Sequence, residues 1–278
     1  MKIYQLTNAS PSQMMGYVLI TDAGKVIVID GGTAADAAAL RSLITQAGSH
    51  VDLWILTHPH YDHFEALLAI AKAPADITID CIYYSPLPDA WSVHDSYFGK
   101  DLLVLNQFMK ETSIPARQLM ENAEYTQDNV TIRVLGVSNP DITVNAFNNS
   151  SCVLFVTEHS AGGNDIFRMV FLGDLGVEGG QRLLERHAPE LKADAVQMAH
   201  HGQYGVSKEV YEVIGAKYAF WPTPTWLWRN TPDGQPEGSG PWKTLEVRAW
   251  MEKLQAVPVT ALERMVCFDT CTKEITVL

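Results

Sequence analysis

The amino-acid sequence predicts a layered α/β fold, and three observations lead to this prediction. Strand-like and helix-like segments alternate along the first half of the chain, as in a sheet covered by helices. Residues 26–29 are Val-Ile-Val-Ile, a β-branched run typical of a strand that is buried on both faces. Hydrophobic residues make up 47% of the 278 residues and charged ones 19%, a globular composition that can build a sizeable core.

The elements of the first half follow one another with short connections. The strand that contains residues 26–29 ends in the turn Asp30-Gly31-Gly32, and the helix after it ends at Gly48. In chain order we predict strands over 2–7, 16–21 and 25–30, a helix over 34–47, a strand over 51–56, a helix over 65–73, a strand over 77–84 and a helix over 102–112. This order indicates βαβα units.

The second half is richer in strands. We predict strands over 130–137, 152–158 and 166–172, a helix over 179–187, a strand over 195–198, a helix from about 207, a strand over 217–221, a helix over 243–255 and strands over 263–268 and 273–278. The two halves meet near residue 125 without a Ser/Gly linker, and no repeat of fixed period occurs. We therefore expect residues 1–278 to form a single domain of two similar layers.

Two segments lack periodicity and are predicted to be irregular. Residues 85–100 carry prolines and aromatic residues and are long for a plain connection, so they could cover a site. Residues 222–242 hold five prolines, three glycines and three tryptophans, which predicts an irregular loop.

Charge and composition narrow the partners. The net charge is −12 and no run of Lys or Arg occurs, so a small-molecule substrate is favoured over a nucleic-acid backbone. No targeting segment and no apolar stretch of membrane-spanning length is visible, so we expect no membrane association and a cytoplasmic location. Four cysteines fit a reducing compartment, and Cys267 and Cys271 are expected to be buried thiols. The oligomeric state stays open.

The most informative segment is Thr57-His58-Pro59-His60-Tyr61-Asp62-His63, directly after the predicted strand 51–56. Imidazoles and carboxylates are ligands that divalent metals such as zinc prefer. If the strand direction continues, His58 and His60 project to one side and can hold one ion, whereas Asp62 and His63 would serve another. Asp62 also has capping-box spacing to Glu65, so a helix N-cap is its alternative role.

Further potential ligands follow other predicted strands. Asp174 comes just after the strand 166–172, His200 and His201 follow the strand 195–198, and Asp30 ends the strand 25–30. Sites in layered α/β folds collect at the sheet edge where strand ends converge. These side chains are therefore candidates for one shared metal site. His50, His94, His159 and His187 lie outside these elements and are expected at the surface.

The set of motifs resembles the metallo-β-lactamase superfamily over about residues 15–205. It consists of Asp30-Gly31-Gly32, His58-x-His60-x-Asp62-His63, Gly173-Asp174 and His200-His201-Gly202, in that order. The segment Asn148-Asn149-Ser150-Ser151-Cys152-Val153-Leu154 further resembles the hydrolase domain of the DNA-uptake protein ComEC and its free-standing relatives. The resemblance implies an αββα sandwich with two divalent metal ions, zinc or alternatively manganese.

The resemblance also implies a role for each matching residue. His58 and His60 would hold the first ion, and Asp62, His63 and either His200 or His201 the second, with Asp174 bridging. Asp30 would orient a histidine from behind the ligands. Many members have a histidine near residue 150 as third ligand of the first ion, where this chain offers Asn149 and Ser151.

The expected activity is metal-dependent hydrolysis by a metal-activated water, which Asp62 would hold or deprotonate. The ComEC-like resemblance favours a phosphodiester in a small substrate. Hydrolysis of a lactone, thioester or β-lactam is the alternative within the fold. A binding protein that keeps the scaffold without activity is the alternative outside the enzymes.

Overall fold

The computed structural model describes residues 1–278. The first part of the chain forms strands β1 (Lys2–Gln5), β2 (Gly16–Ile20), β3 (Val26–Asp30), β4 (His50–Val51), β5 (Leu53–Ile55), β6 (Thr78–Ile79), β7 (Ile82–Tyr84) and β8 (Ala116–Gln118). The helices of this part are α1 (Ala37–Gln46), α2 (Tyr61–Lys72) and α3 (Gly99–Glu111). Short 3-10 helices cover Ala34–Asp36 and Asp89–His94.

The remaining elements form the second half and return to the first sheet at the end. The strands are β9 (Glu124–Gln127), β10 (Val130–Gly136), β11 (Val153–His159), β12 (Asp165–Phe171), β13 (Ala195–Gln197), β14 (Tyr218–Trp221), β15 (Val257–Thr260), β16 (Val266–Asp269) and β17 (Ile275–Val277). The helices are α4 (Val177–His187), α5 (Lys208–Ile214), α6 (Thr225–Trp228) and α7 (Thr244–Lys253), with 3-10 helices at Asn148–Ser150, Ala188–Glu190 and Ala199–Gly202.

Two mixed sheets carry the fold. The eight-stranded sheet has the order β17-β16-β1-β2-β3-β5-β7-β8, and the seven-stranded sheet has the order β15-β14-β13-β12-β11-β10-β9. The strands from β3 to β8 in the first sheet and from β12 to β15 in the second run parallel. Strands β4 and β6 form a separate parallel pair.

The apolar core lies in three layers, which makes the arrangement αββα. One cluster fills the space between the two sheets, and each of two further clusters lies between a sheet and its helices. Strand β3 shows why: Ile27 and Ile29 belong to the cluster between the sheets, whereas Val26 and Val28 belong to the cluster under α1 and α2. Side chains alternate along a strand, so a β-branched run feeds both layers. The predicted α/β fold of sandwich type is confirmed.

Several local predictions need correction. The strand predicted over 51–56 is interrupted at Asp52, whose carboxylate accepts hydrogen bonds from the amide of Val26 and from Lys25. Strands β8, β9 and β15 were not predicted, because β8 and β9 are short and largely exposed and β15 contains Pro258. The segment 222–242 is not wholly irregular, because it contains α6.

Two surface assignments also differ. Cys267 is buried as expected, but Cys271 is exposed because it lies in the turn after β16. His187 is buried, since the last turn of α4 faces the protein. No helix combines the length and the apolar character that crossing a bilayer would require.

Candidate metal centre

Four loops bring the predicted ligands to one edge of the sandwich. They follow β3, β5, β12 and β13, and all four leave the carboxyl ends of strands that have at least one parallel neighbour. The structure places together the side chains that the sequence proposed for the site: His58, His60, Asp62, His63, Asp174, His200 and His201, with Asp30 behind them.

The helix α2 begins earlier than predicted, and this changes the role of Asp62. The N-cap residue of α2 is His60, and Asp62 and His63 lie in the first helical turn. The N-cap alternative for Asp62 is therefore wrong. The first turn instead directs both side chains into the site, where each is buried.

The donor atoms fall into two groups that could each hold a metal ion. His58, His60 and Asp174 form the first group, and Asp62, His63 and His201 the second; within each group the donor atoms lie within 4.8 Å of one another. The Oδ2 atom of Asp174 also lies 3.3 Å from His63 Nε2 and 3.2 Å from His201 Nε2. Asp174 therefore stands between the two groups.

Four histidines each use one ring nitrogen for a protein partner and turn the other toward the centre. The carbonyl of Pro222 can only accept, so His201 Nδ1 donates to it over 2.9 Å. Asp30 Oδ2 accepts from His63 Nδ1 over 2.6 Å. The remaining pairs are His58 Nδ1 with Thr57 Oγ1 at 3.1 Å and His60 Nε2 with Asp95 Oδ2 at 3.2 Å. This pattern fixes the tautomers that a metal site needs.

The inward-facing atoms have the properties of metal ligands. His63 Nε2, His201 Nε2 and both carboxylate oxygens of Asp174 are buried without any hydrogen-bond partner. The tautomers assigned above leave lone pairs on His58 Nε2 and His60 Nδ1, which nevertheless lie only 3.0 Å apart. Buried polar atoms normally have partners, so this set of unpartnered donors is suited to hold a cation between them. The residues fit two divalent ions.

The same carboxylates shift the pKa values of the neighbouring histidines. Burial lowers the pKa of His201, but Asp174 and Asp62 outweigh burial and raise the pKa to about 9. Burial likewise opposes the charged form of His63, yet Asp174, Asp30 and Asp62 hold its pKa well above the ordinary value. Burial would raise the pKa of Asp174, but His201 and His63 hold it well below its usual range. The centre therefore favours positive charge between these groups.

Backbone conformation separates the two adjacent histidines. His200 and His201 both have left-handed backbone angles, with φ of 50° and 53°, and Gly202 follows with φ of 78°. Residues other than glycine seldom adopt this region, and the strain costs of order 1–2 kcal/mol per residue. The Thr223 hydroxyl stabilises the turn by donating to the His201 carbonyl over 2.6 Å. The two ring centroids lie 6.1 Å from each other, with an angle of 57° between the ring planes.

Only one histidine of the pair joins a ligand group. The His201 side chain is fully buried, and its Nε2 lies 3.2 Å from Asp62 and from Asp174. The His200 side chain is 16% exposed, and its Nε2 lies 4.0 Å from Asp174. The sequence left this choice open, and the geometry favours His201.

Asn149 and Ser151 support the site without joining a ligand group. Ser151 Oγ accepts the amide of Asp174 over 3.0 Å and so holds the loop that presents this carboxylate. The Asn149 side chain bonds to the carbonyl of Val144, to Glu178 and to the amide of Gly179, which ties it to the start of α4. Neither side chain adds a ligand to the first group, and Asn149 is too buried and too fully bonded to touch a substrate.

The predicted cover over residues 85–100 lies against the first group and contributes residues that the sequence did not reveal. Phe98 packs on His60 with a centroid distance of 5.4 Å, and Asp95 bonds to the same ring. From α3, Asp101 accepts the amide of Tyr61 over 3.3 Å. No motif marked these aspartates, because their contacts depend on how the segment folds back on α2.

Comparison with known proteins agrees with the fold. Residues 17–95 match the family model described as the Metallo-beta-lactamase superfamily. The metallo-beta-lactamase fold protein YhfI from Bacillus subtilis is 14% identical, with a TM-score of 0.50 over 81% of this chain and 87% of that chain. No curated protein matches the chain in sequence. The chain has the metallo-β-lactamase fold, and the family match supports a place in that superfamily.

Two further solved structures are similar at lower scores. A beta-lactamase from Chitinophaga pinensis is 12% identical, with a TM-score of 0.49 over 91% of each chain. A diphosphatase from the PhnP family is 12% identical, with a TM-score of 0.46 over 79% of this chain and 85% of that chain.

Proposed function

We propose that the chain is a metal-dependent hydrolase with a binuclear centre that acts on a phosphodiester in a small substrate. One observation carries the proposal: two groups of buried histidine and aspartate donors meet at Asp174, and the inward-facing atoms of that residue, His63 and His201 are buried without a hydrogen-bond partner. Such a set of nitrogen and oxygen donors suits zinc, and manganese is the alternative. In this proposal residues 1–278 act as one domain.

The ligand assignment follows the two groups. His58, His60 and Asp174 would hold the first ion, and Asp62, His63 and His201 the second, with Asp174 shared. When bound, such ions lower the pKa of a coordinated water to near neutrality, and they stabilise negative charge on a substrate oxygen.

The protein prepares the site by fixing protons. Asp30 and the Pro222 carbonyl hold one proton of His63 and of His201 on Nδ1, so Nε2 is the atom of each ring that an ion would bind. The Thr57 hydroxyl donates to Asp30 and therefore accepts from His58 Nδ1. Asp62 has a second carboxylate oxygen with which to orient or deprotonate the attacking water, which makes it the proposed catalytic residue.

The substrate class rests on the resemblance to the ComEC-like branch and on charge. A net charge of −12 disfavours a long polyanion, so we propose a small molecule that carries the phosphodiester. In this proposal His200 and Phe98, both partly exposed beside the centre, would contact it. Hydrolysis of a lactone, thioester or β-lactam, and binding without catalysis, remain the competing outcomes of the test.

The test combines metal analysis with turnover. Protein purified without chelator and loaded with zinc or manganese is assayed on bis(p-nitrophenyl) phosphate, a lactone, a thioester and a β-lactam. We expect about two equivalents of metal and hydrolysis of the phosphodiester, lowered at least about a hundredfold by His58→Ala or Asp62→Ala. His159→Ala is the control, since that histidine contacts only Thr131 and Asp165.

Each other outcome is decisive. Less than one equivalent of metal under metal-replete conditions would remove the binuclear centre. Full metal with turnover of the lactone, the thioester or the β-lactam alone would move the activity to that alternative. Full metal without turnover of any of the four would support a binding protein.

A further inference from the structure

The segment of residues 89–98, here named the cover segment, holds one ligand histidine from outside the centre. Asp95 Oδ2 accepts from His60 Nε2 over 3.2 Å, while Nδ1 of the same ring lies 3.0 Å from His58 Nε2. One ring nitrogen of His60 therefore faces the centre and the other faces the cover segment. No other polar group bonds to His60 Nε2.

Apolar contacts complete the surroundings of this ring. His60 packs between Phe98 and Phe147, with centroid distances of 5.4 Å and 5.5 Å. Aromatic packing restricts the position of the ring but does not choose which nitrogen carries the proton. Asp95 makes that choice, because a carboxylate accepts a hydrogen bond and thereby keeps the proton on Nε2.

The cover segment holds Asp95 firmly in turn. Asp95 Oδ1 accepts the amides of Tyr97 and Phe98 at 3.0 Å and 2.7 Å, and its carbonyl accepts the amide of Gly99. Gly99 passes so close to Ser92 that an added Cβ would lie 2.1 Å from the Ser92 carbonyl oxygen. The turn is thus closed on itself, and one carboxylate joins it to the metal-binding loop.

We propose that Asp95 is a positioning residue that sets His60 for metal binding and links occupation of the first ligand group to closure of the cover segment. The proposal rests on the proposed function, since it concerns the same centre. It also concerns the weakest part of that centre: Asn149 and Ser151 add no further ligand to His58, His60 and Asp174, and a carboxylate behind His60 makes this imidazole a stronger donor.

Asp95→Asn is the sharpest test, because it replaces a charged hydrogen-bond acceptor by a neutral donor and leaves the volume of the side chain nearly unchanged. Its amide oxygen can still accept from Tyr97 and Phe98, but its NH2 group then faces His60 Nε2 and can only donate. The His60 proton would move to Nδ1 and block the atom that faces the centre. Asp89→Asn is the matched control, because Asp89 lies in the cover segment and contacts only Asn106 and Lys110.

Two quantities are measured. The first is the affinity for cobalt, monitored through the absorption spectrum of the bound ion, and the second is hydrogen exchange of the amides in the cover segment. We expect Asp95→Asn to weaken binding of one of the two ions about 10–100-fold, with the other ion and the melting temperature of the metal-free protein unchanged. Exchange of the Tyr97 and Phe98 amides should slow on metal addition in the wild type and in Asp89→Asn. It should not slow in Asp95→Ala.

The outcomes separate this proposal from the proposed function. The role of Asp95 alone would be overturned by the following result. The wild type binds two ions, His60→Ala loses one of them, and Asp95→Asn binds both as tightly as the wild type. Metal-independent exchange of the cover segment in the wild type would overturn its link to the centre. Failure of the wild type to bind metal would overturn both proposals.

Discussion

Asp30 accepts a hydrogen bond from His63 Nδ1 over 2.6 Å, although the two residues are 33 positions apart in the chain. The same carboxylate accepts the amide and the hydroxyl of Thr57, each at 2.7 Å. Asp30 has a left-handed backbone with φ of 58°, which lets the last residue of β3 turn toward the loop after β5. One buried carboxylate thus fixes both the ligand His63 and the loop that carries His58.

Replacing Asp30 by Asn should therefore weaken metal binding without removing a proposed ligand. The amide has one accepting oxygen instead of two, so it cannot take all three hydrogen bonds that His63 and Thr57 give to Asp30. Either the His63 tautomer or the loop at Thr57 therefore loses its support. We expect the affinity of the second ligand group to fall about 10–100-fold in a metal titration. Asp194→Asn is the control, since Asp194 accepts the Arg168 amide elsewhere. Equal losses in the two variants would contradict a specific role for Asp30.

His200 and His201 should separate in a metal analysis. His201→Ala removes a buried donor that lies 3.2 Å from Asp62 and Asp174, so we expect it to lose about one of two equivalents. His200→Ala should keep both equivalents and lower turnover, because this partly exposed ring lies beside the centre without joining a ligand group. Comparable metal loss in the two variants would show that both histidines are ligands.

Metal affinity should depend on pH through His201. Its pKa is raised to about 9, because Asp174 and Asp62 outweigh the effect of burial. An ion must replace this proton, so affinity of the second ligand group should rise about tenfold per pH unit for each proton released, up to about pH 9. A competition titration of the wild type measures this slope. An affinity of the second ligand group that does not change between about pH 7 and about pH 9 would contradict the assignment.

The metal-free protein should show the opposite dependence. A histidine whose pKa is raised by folding stabilises the folded state. This contribution is fully present at pH values below the ordinary pKa of 6.5, and it is lost as the pH rises toward 9. Urea unfolding of chelator-treated protein should therefore give a free energy of unfolding that falls over this range. The fall should be smaller in His201→Gln.

Gly202 is needed for space as well as for conformation. Its φ is 78°, and an added Cβ would lie 2.4 Å from the ring of Trp221. Gly202→Ala should lower the free energy of unfolding by about 3 kcal/mol or more, from backbone strain plus overpacking. Gly24→Ala is the matched control, with φ of 79° and no atom within 4 Å, and should cost only about 1–2 kcal/mol. Urea unfolding measures the free energy of unfolding of both variants. Equal losses in Gly202→Ala and Gly24→Ala would exclude a steric contribution from Trp221.

Local sequence patterns were sufficient for the layers and for most of the proposed ligands. The Val26 to Ile29 run predicted a strand buried on both faces, and the structure distributes these four residues between two core layers. Potential ligands placed directly after strands were expected to meet, and Asp174 and His201 do lie together. Both predictions rest on periodicity and chain direction, which short segments encode by themselves.

Contacts that depend on a distant loop could not be predicted in this way. Asp95 reaches His60 only because the cover segment folds back at Gly99, and no pattern around Asp95 marks that contact. The side chain of Asn149 was expected near the first ligand group, but the start of α4 binds it instead. Where a side chain has several possible hydrogen-bond partners, the packing around it determines which one it binds, and its neighbours in sequence do not.

By itself the sequence determined the α/β layers and the residue types of a histidine and aspartate centre, because both follow from spacing along single strands and turns. Only the tertiary structure decided between His200 and His201, because the choice depends on two left-handed backbone conformations stabilised by Thr223 and Pro222. It also decided which carboxylates stand behind His60 and His63. Those hydrogen bonds join residues more than 30 positions apart, and such pairings exist only once the layers have packed.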